Sequence, residues 1–411
     1  MMSSRPPPVE LKEYGDPKTV QLAPEQAEAL KDKDRFGEYI DIDPAWGEPG
    51  SYELRAKQYV GTIVLGDVRI VIWPKVPVEN LFYMLTYAYD YDLLKPFPEE
   101  ADLEVSDLLE IVVRLFVRRV EDLVRRGIYR SYITYDDNHT FLRGRLLMAE
   151  HLRRNAVQVQ RFYQRIHEYT ADVLENRILR FTLEQLLQLD YRRPELRQHL
   201  RRALSAFGEV SFTPIRPEMC DQVIYTRLNS AYRRPISLAR LLLQHLSLEE
   251  RPGEVPFVTF LVNMNRVFER FVTEFLKEHL NIQDQEEIRL NSEEDKEEEV
   301  GKPDIILLRN GQRCLVLDTK YKKFDNNPDE ADRNQMFMYC HALNLPQGIL
   351  IYPHDGPISY ERHFQHVTIR AWALPLSGSL DEFREHCQKF ADDLRALAQE
   401  LVIGTEMHVP A

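Results

Sequence analysis

Two apolar runs on either side of Asn310-Gly311, in the stretch GKPDIILLRNGQRCLVLDTKYKKF, constrain the fold of this chain more than any other feature. Asn-Gly between two strand-like runs is a strong signal for a β-hairpin. Asp318 and Lys320 lie two residues apart near the end of the second run, so in a strand their side chains point to the same face. Asp304 stands at the start of the first run.

The length of the hairpin loop decides whether the two aspartates meet. A three-residue loop over Asn310-Gly311-Gln312 places Asp304 opposite Asp318, on the face that also carries Lys320. A two-residue loop shifts the register by one, and the side chain then falls on the wrong face. The sequence therefore predicts the longer, bulged loop.

Two carboxylates and a lysine on one face are suited to metal-assisted phosphate chemistry. Carboxylates are hard oxygen ligands that suit Mg²⁺, with Mn²⁺ as an alternative ion, and Lys320 can orient the attacking water or neutralise the phosphate. The predicted metal ligands are Asp304, Asp318 and the backbone carbonyl of Thr319. Glu269, on a predicted helix, offers a third carboxylate to the catalytic group.

A helix predicted directly after the hairpin carries Gln335 and Tyr339, which are four residues apart and so share a face. We interpret them as supporting residues of the same site. D-x-K by itself occurs often by chance. The ordered combination of a helical Glu, a PD pair, an apolar strand, D-x-K and QxxxY is much rarer and favours a nuclease site.

This order of motifs resembles the PD-(D/E)xK nucleases of the RecB-like branch, and more narrowly the McrC family. The resemblance extends over residues 59–401. It includes VENLFYMLTYAYDY, GTIVLGDVRIVIWPKVP, LRGRL, ENRIL, FLVNMNRVFERFV, LVLDTKYKK and ILIYPH. It implies that Asp304 and Asp318 bind metal and that Lys320 is catalytic, with Glu269, Gln335 and Tyr339 as supporting positions. The second acidic position is Asp where many nucleases of the superfamily carry Glu, and McrC-type chains commonly have Asp.

The resemblance further implies a partner, an McrB-like AAA+ GTPase ring, and a substrate, double-stranded DNA that contains methylcytosine. The chain would then be the endonuclease subunit of a restriction system, with self-association in the full complex. No GxxxxGK[ST] phosphate loop is present in the sequence, so we expect no nucleotide bound by a motif of this chain.

Two alternatives stay open. One is a non-catalytic adaptor that activates a ring motor and carries a silent nuclease fold. The other is a stand-alone RecB-like nuclease, with an iron–sulfur cluster held by the four cysteines, although their spacing lacks the expected cluster near the C-terminus.

The periodicities predict an α+β multidomain chain. Residues 1–50 are interpreted as a tail of uncertain structure, and 51–78 as the hairpin of an N-terminal β-rich module that spans roughly residues 20–78. Residues 79–252 are predicted to be mainly helical and Arg-rich, with long helices near 161–189, 194–206 and 235–248. Residues 253–405 form the predicted α/β nuclease domain with a mixed sheet, which opens on one helix of about five turns.

The formal net charge of −13 argues against a polyanionic partner, but the charge is segregated. Residues 111–205 hold 19 Arg, no Lys and 11 Asp and Glu, whereas residues 284–300 carry 9 acids and 2 bases. DNA contacts are therefore predicted at Arg143 and Arg145, and beside the site at Lys322 and Lys323. The chain alone should bind DNA weakly.

The sequence has no apolar run near the roughly 18 residues of a membrane span and no signal-peptide core at its start. Its four cysteines form no CxxC pair, which suits a reducing compartment. We expect a cytoplasmic protein without membrane contact.

Overall fold

The computed structural model describes residues 7–33, 36–46, 49–89, 107–249, 257–289, 300–325 and 327–406. The fold is a mixed α+β fold with several sheets, divided into two compact units. Unit 1 comprises residues 1–101, 250–257 and 261–411, and unit 2 comprises residues 102–249 and 258–260. No helix among the described residues is long and apolar enough to cross a bilayer.

The N-terminal part of unit 1 contains six short strands and two helices. They are β1 (Val9–Lys12), β2 (Lys18–Gln21), α1 (Pro24–Lys31), β3 (Ile40–Pro44), β4 (Ser51–Ala56), β5 (Tyr59–Leu65), β6 (Val68–Trp73) and α2 (Val78–Tyr89). Strands β2, β4 and β3 form one antiparallel sheet, and β1 pairs in parallel with β6 in a second. The hairpin predicted within residues 51–78 is confirmed, because Leu65 of β5 pairs with Val68 of β6 across Gly66-Asp67.

The described residues between 9 and 44 form β1, β2, α1 and β3, so the interpretation of residues 1–50 as a tail is wrong for these elements. Each of these elements is only four to eight residues long, which gives little periodicity along the sequence. They are held by burial: Leu11, Leu22, Phe36 and Ile40 pack into one core with the β5–β6 hairpin.

Unit 2 matches the predicted helical region in part. Its elements are α3 (Leu108–Arg126), β7 (Ser131–His139), β8 (Arg145–Leu146), α4 (Met148–Arg154), β9 (Phe162–Thr170), α5 (Leu174–Leu187), α6 (Pro194–Ser205), 3₁₀ turns at Pro217–Gln222 and Ser230–Tyr232, α7 (Arg233–His245) and β10 (Leu246–Glu249). The helix predicted at 161–189 is wrong in its first half. Phe162–Thr170 pairs along its full length with β7, and this cross-strand pairing outweighs the local helical spacing.

The C-terminal part of unit 1 is built on a mixed six-stranded sheet. Its elements are β11 (Phe257–Asn263), α8 (Met264–His279), β12 (Ile282–Asp284), β13 (Ile288–Arg289), β14 (Val300–Gly301), β15 (Ile305–Arg309), β16 (Gln312–Thr319), α9 (Glu330–Ala342), β17 (Gln347–Tyr352), β18 (Tyr360–Phe364), β19 (Val367–Ala373) and α10 (Leu380–Glu406). The sheet order is β12-β15-β16-β17-β19-β18, with β16, β17 and β19 parallel. Most of the acidic run at 284–300 lies outside the described residues.

The five-turn helix predicted at the start of this region is instead a strand followed by a shorter helix. Asn263 separates them, because its side chain accepts a hydrogen bond from the Arg266 amide and so caps α8. Residues 257–262 lie before the cap and are β11.

Helix α2 packs in unit 1, against α8, and not with the helical region where it is predicted. Tyr83 and Tyr87 of α2 pack edge-on against Phe271 of α8, with ring centroids 5.9 and 5.8 Å apart. Asn80 is buried and donates to the Leu376 carbonyl at 2.9 Å. The N-terminal and C-terminal parts therefore form one unit, and the predicted boundary at residue 78 falls inside it.

Candidate active site

The β15–β16 hairpin brings the two aspartates together by a route that differs from the prediction. The loop is the two-residue turn, with Asn310 at φ 50° and Gly311 at φ 79°, and Arg309 pairs with Gln312. The extra residue enters further along the hairpin, where a bulge shifts the register between Leu307 and Leu308. Ile305 then pairs with Leu317, and continuing this register by one residue sets Asp304 level with Asp318.

Asp304 is fixed by the strand it faces. Its Oδ2 accepts hydrogen bonds from the backbone amide and from the hydroxyl of Thr319, each at 2.7 Å. Asp318 lies on the neighbouring strand position and is 4% exposed. The two carboxylates thus sit side by side at one end of the sheet.

Burial dominates the electrostatics of this acidic group. It raises the pKa of Asp318 to about 7, helped by the nearby Asp304 carboxylate and opposed by Lys320. Burial also raises the pKa of Asp304, against the hydrogen bonds from Thr319. The pKa of Glu269 is raised by burial and then by the charge of Asp304, which places this third carboxylate near the pair.

Lys320 connects the carboxylates to helix α9. Its Nζ lies 2.6 Å from Asp318 Oδ2 and donates to Gln335 Oε1 at 2.9 Å. The Gln335 amide in turn donates to the Tyr339 hydroxyl at 2.8 Å, which donates to the Lys302 carbonyl at 3.3 Å. Gln335 therefore contacts both Lys320 and Tyr339, so the predicted QxxxY pair lies beside the lysine.

A cleft of about 400 Å³ opens above these groups. Its lining includes Glu269, Asp304, Asp318, Lys320 and Gln335. All five were predicted from the sequence.

The donor set fits a cation that keeps part of its water shell. Among the described residues, no three His, Cys, Asp or Glu side chains are grouped to hold a metal by themselves. Two carboxylates with the Thr319 carbonyl and several waters would suit Mg²⁺. Glu269 lines the cleft and accepts from Gln285 at 2.8 Å, so it is placed as a neighbour of the pair.

Three of the four residues predicted to contact DNA, Lys322, Lys323 and Arg143, have protein partners of their own. Lys322 lines the cleft but forms ion pairs with Asp329 and with Asp332. Lys323 is 80% exposed. In unit 2, Arg143 donates to the Tyr135 hydroxyl at 2.6 Å, and Arg145 lies on the exposed side of β8. Their role in DNA binding stays a prediction.

The N-terminal segment also lines the cleft, through Tyr14, and no local pattern predicts this contribution. Glu13 is fully buried, and its carboxylate accepts a hydrogen bond from the Tyr321 hydroxyl at 2.7 Å. Tyr321 directly follows Lys320. A buried acid in a segment full of chain breakers could have been noticed only from the fold.

The raised pKa of Asp318 predicts a specific pH dependence of stability in metal-free buffer. Between the ordinary carboxyl pKa of 3.8 and about 7, the folded chain holds a proton that the unfolded chain has lost, so stability falls as pH rises through this window. We expect Asp318→Asn, which carries no charge at any pH, to raise the Tm by about 2–4 °C at pH 8 and by less at pH 5. Thermal unfolding at the two pH values measures this.

The exposed Asp393→Asn is the matched control and should show no such pH-dependent gain. Mg²⁺ should stabilise the wild type and leave Asp318→Asn unchanged. An equal gain in Tm at both pH values would contradict a raised pKa of Asp318, because the gain should then not depend on the charge of its carboxylate.

The sequence of the chain is similar to components of a known restriction system. A family model described as McrBC 5-methylcytosine restriction system component matches residues 54–353. The Type IV methyl-directed restriction enzyme EcoKMcrBC of Escherichia coli (strain K12) is 23% identical over 305 residues, which is 68% of this chain and 87% of the relative.

The fold also matches a solved structure. A chain from a refined half-complex of the tetradecameric assembly of Thermococcus gammatolerans McrB AAA+ hexamers with bound McrC superposes with a TM-score of 0.64. The match covers 94% of this chain and 100% of that chain, at 21% sequence identity. At this identity the superposition supports the fold.

Proposed function

Because the chain belongs to the McrBC 5-methylcytosine restriction system component family, as an McrC-type subunit, we propose that it is the Mg²⁺-dependent DNA endonuclease of a restriction complex. One observation carries the proposal. Asp304 and Asp318 lie side by side, with Lys320 Nζ 2.6 Å from Asp318 and held by Gln335. This is the arrangement expected of a PD-(D/E)xK site.

The metal would be held by Asp304, Asp318 and the backbone carbonyl of Thr319. The Thr319 amide already donates to Asp304, and in a strand the amide and carbonyl of one residue point to the same side. When bound, Mg²⁺ would lower the pKa of a bound water and neutralise negative charge on the phosphate. Mn²⁺ could occupy the same site.

The other steps belong to side chains of the chain. Asp318 must give up its proton before a cation is bound, and because burial raises the pKa of this carboxyl to about 7, that loss is complete only above neutral pH. Lys320 brings a fixed positive charge to the phosphate as a water attacks the phosphorus and the phosphodiester P–O bond breaks. Gln335 accepts a hydrogen bond from the Lys320 ammonium group and donates one to the Tyr339 hydroxyl, so both residues would act by positioning Lys320.

We propose that an McrB-like AAA+ GTPase ring is the partner and double-stranded DNA the substrate. In the similar solved structure, McrC is bound to McrB AAA+ hexamers. Unit 2 exposes several large apolar side chains, which are typical of a protein-binding surface. Between residues 132 and 169 these exposed side chains are Tyr132, Phe141, Leu142, Met148, Leu152, Val157, Val159 and Tyr169, of which Tyr132 and Tyr169 are in ring contact at 5.1 Å.

Recognition of methylcytosine is assigned to no residue of this chain, and it would fall to the partner. Self-association would follow from assembly of the full complex. The adaptor alternative is disfavoured because the carboxylates and the lysine are intact. The stand-alone alternative is disfavoured because it gives no role to the exposed apolar side chains between residues 132 and 169.

The test is reconstitution. The purified chain is mixed with an McrB-like AAA+ GTPase, Mg²⁺ and GTP, on methylated and on unmethylated DNA. We expect cleavage of methylated DNA only when GTP and the partner are both present. GTPase stimulation without any cleavage would support the adaptor, and cleavage by the chain without GTP would support the stand-alone nuclease.

A further inference from the structure

A second cavity, of about 270 Å³, adjoins the catalytic cleft. It shares the lining residues Tyr14, Tyr321 and Lys322 with the cleft, so the two cavities are neighbours. Its other lining residues include Lys75, Lys323 and His354. We call it the lysine pocket.

The lysine pocket is positively charged. Lys322 is compensated by Asp329 and by Asp332, whose carboxylate lies 2.6 Å from its Nζ. Lys323 is 3.5 Å from Asp325, and both side chains are so exposed that this ion pair contributes little. Asp355 is the acidic side chain in the lining. Lys75 and Lys323 therefore supply most of the positive charge that faces the cavity.

A bound anion would stabilise the charged ammonium group of Lys75, which lies in an unfavourable electrostatic environment. Burial lowers the pKa of its ammonium group, the Glu13 carboxylate opposes this, and the charge of Lys323 lowers it further. Two cations of different segments thus repel each other across the cavity. A bound anion between them would remove that repulsion.

The position of Lys75 is built into the fold. The backbone amide of Lys75 donates to Glu13 Oε1 at 2.8 Å, and the same oxygen accepts from Tyr321. The Lys75 Nζ lies 4.9 Å from the centroid of the Tyr14 ring, a cation–π contact. Glu13 thus links Lys75 to Tyr321, the residue that follows Lys320. Lys75 in turn lines the lysine pocket.

We propose that the lysine pocket is a phosphate subsite: it takes a backbone phosphate of the DNA strand that lies next to the scissile phosphate. Lysine ammonium groups bind phosphate as point charges, and a second anchored phosphate would set the strand in line with Asp318 and Lys320. This inference rests on the proposed nuclease function. It assigns to the N-terminal part of the chain a direct role in holding the substrate.

The test is binding of a labelled duplex to the full chain in an Asp318→Asn background, followed by fluorescence anisotropy over a series of KCl concentrations. We expect Lys75→Ala with Lys323→Ala to weaken binding about tenfold and to flatten the slope of log K against log salt by about 0.9 for each lost phosphate contact. Lys389→Ala, an exposed lysine on α10, is the matched control and should leave the slope unchanged.

A scan with a single neutral methylphosphonate identifies the phosphate. At one position, the neutral group should weaken binding to the parent chain and have no effect on the double variant. If every position affects both chains equally, or if the salt slope of the double variant equals that of Lys389→Ala, the inference is overturned. Lys323 is exposed, so Lys323→Ala alone tests the pocket without a risk of unfolding.

The proposed function is tested separately, by Mg²⁺-dependent cleavage with the wild-type chain. If the wild type cleaves and the scan shows no position that depends on these lysines, the phosphate subsite alone is wrong. If the wild type cleaves no DNA in the reconstituted complex, the nuclease assignment fails first.

Discussion

Replacing Asp318 by alanine should reduce Mg²⁺-dependent DNA cleavage by about a thousandfold or more, since a bound metal supplies several kcal/mol of transition-state stabilisation and each 1.36 kcal/mol is tenfold in rate. Asp318 is buried beside Asp304, and a cation held by Asp304 and the Thr319 carbonyl alone would have lost one of two carboxylates. The measurement is nicking and linearisation of a methylated plasmid in the reconstituted complex.

Two comparisons separate chemistry from folding in this experiment. Asp393→Asn removes an exposed carboxylate and should cleave like the wild type. Asp318→Asn keeps the shape of the side chain and removes the charge, so it should be as inactive as Asp318→Ala while unfolding at a temperature no lower than that of the wild type. Cleavage by a folded Asp318→Asn chain at the wild-type rate would contradict the assignment.

Replacing Lys320 by methionine should reduce the cleavage rate about a hundredfold to a thousandfold, the cost of removing one preorganised charge from a transition state. The methionine side chain fills similar space but carries no charge for the phosphate or the attacking water. Because Gln335 only positions Lys320, Gln335→Ala should cost about tenfold, a fraction of that loss. Single-turnover cleavage rates for the two variants measure both effects.

The informative comparison is which variant, Lys320→Met or Gln335→Ala, loses more cleavage activity. Lys389→Met is the control for removal of a lysine from the surface of the same unit. A larger loss for Gln335→Ala than for Lys320→Met would mean that the glutamine contacts the substrate itself. Full activity of Lys320→Met would exclude the lysine from the reaction.

The site was predictable because it depends on local rules. Asp318 and Lys320 share a face through the period of a strand, and Gln335 and Tyr339 through the period of a helix. The loop length was predicted wrongly, since Asn310-Gly311 forms the two-residue turn. The register was nevertheless right, because the requirement that Asp304 and Asp318 meet is satisfied by a bulge further along the strands.

The parts that were missed depend on partners distant in sequence. Phe162–Thr170 is a strand because β7 pairs with it, and residues 257–262 are a strand because Asn263 delays the helix. Glu13 reaches Tyr321 across 308 residues, so no local pattern reveals it. Only the fold shows that the N-terminal segment completes the cleft.

We propose that Asp304, Asp318 and Lys320 are the nuclease centre of a complex driven by a GTPase. The most direct measurement follows GTP hydrolysis and DNA cleavage in the same reconstituted sample, with the wild type and with Asp318→Ala. We predict that Asp318→Ala stimulates GTP hydrolysis like the wild type and leaves the methylated DNA intact. Continued cleavage by the Asp318→Ala complex would contradict the claim.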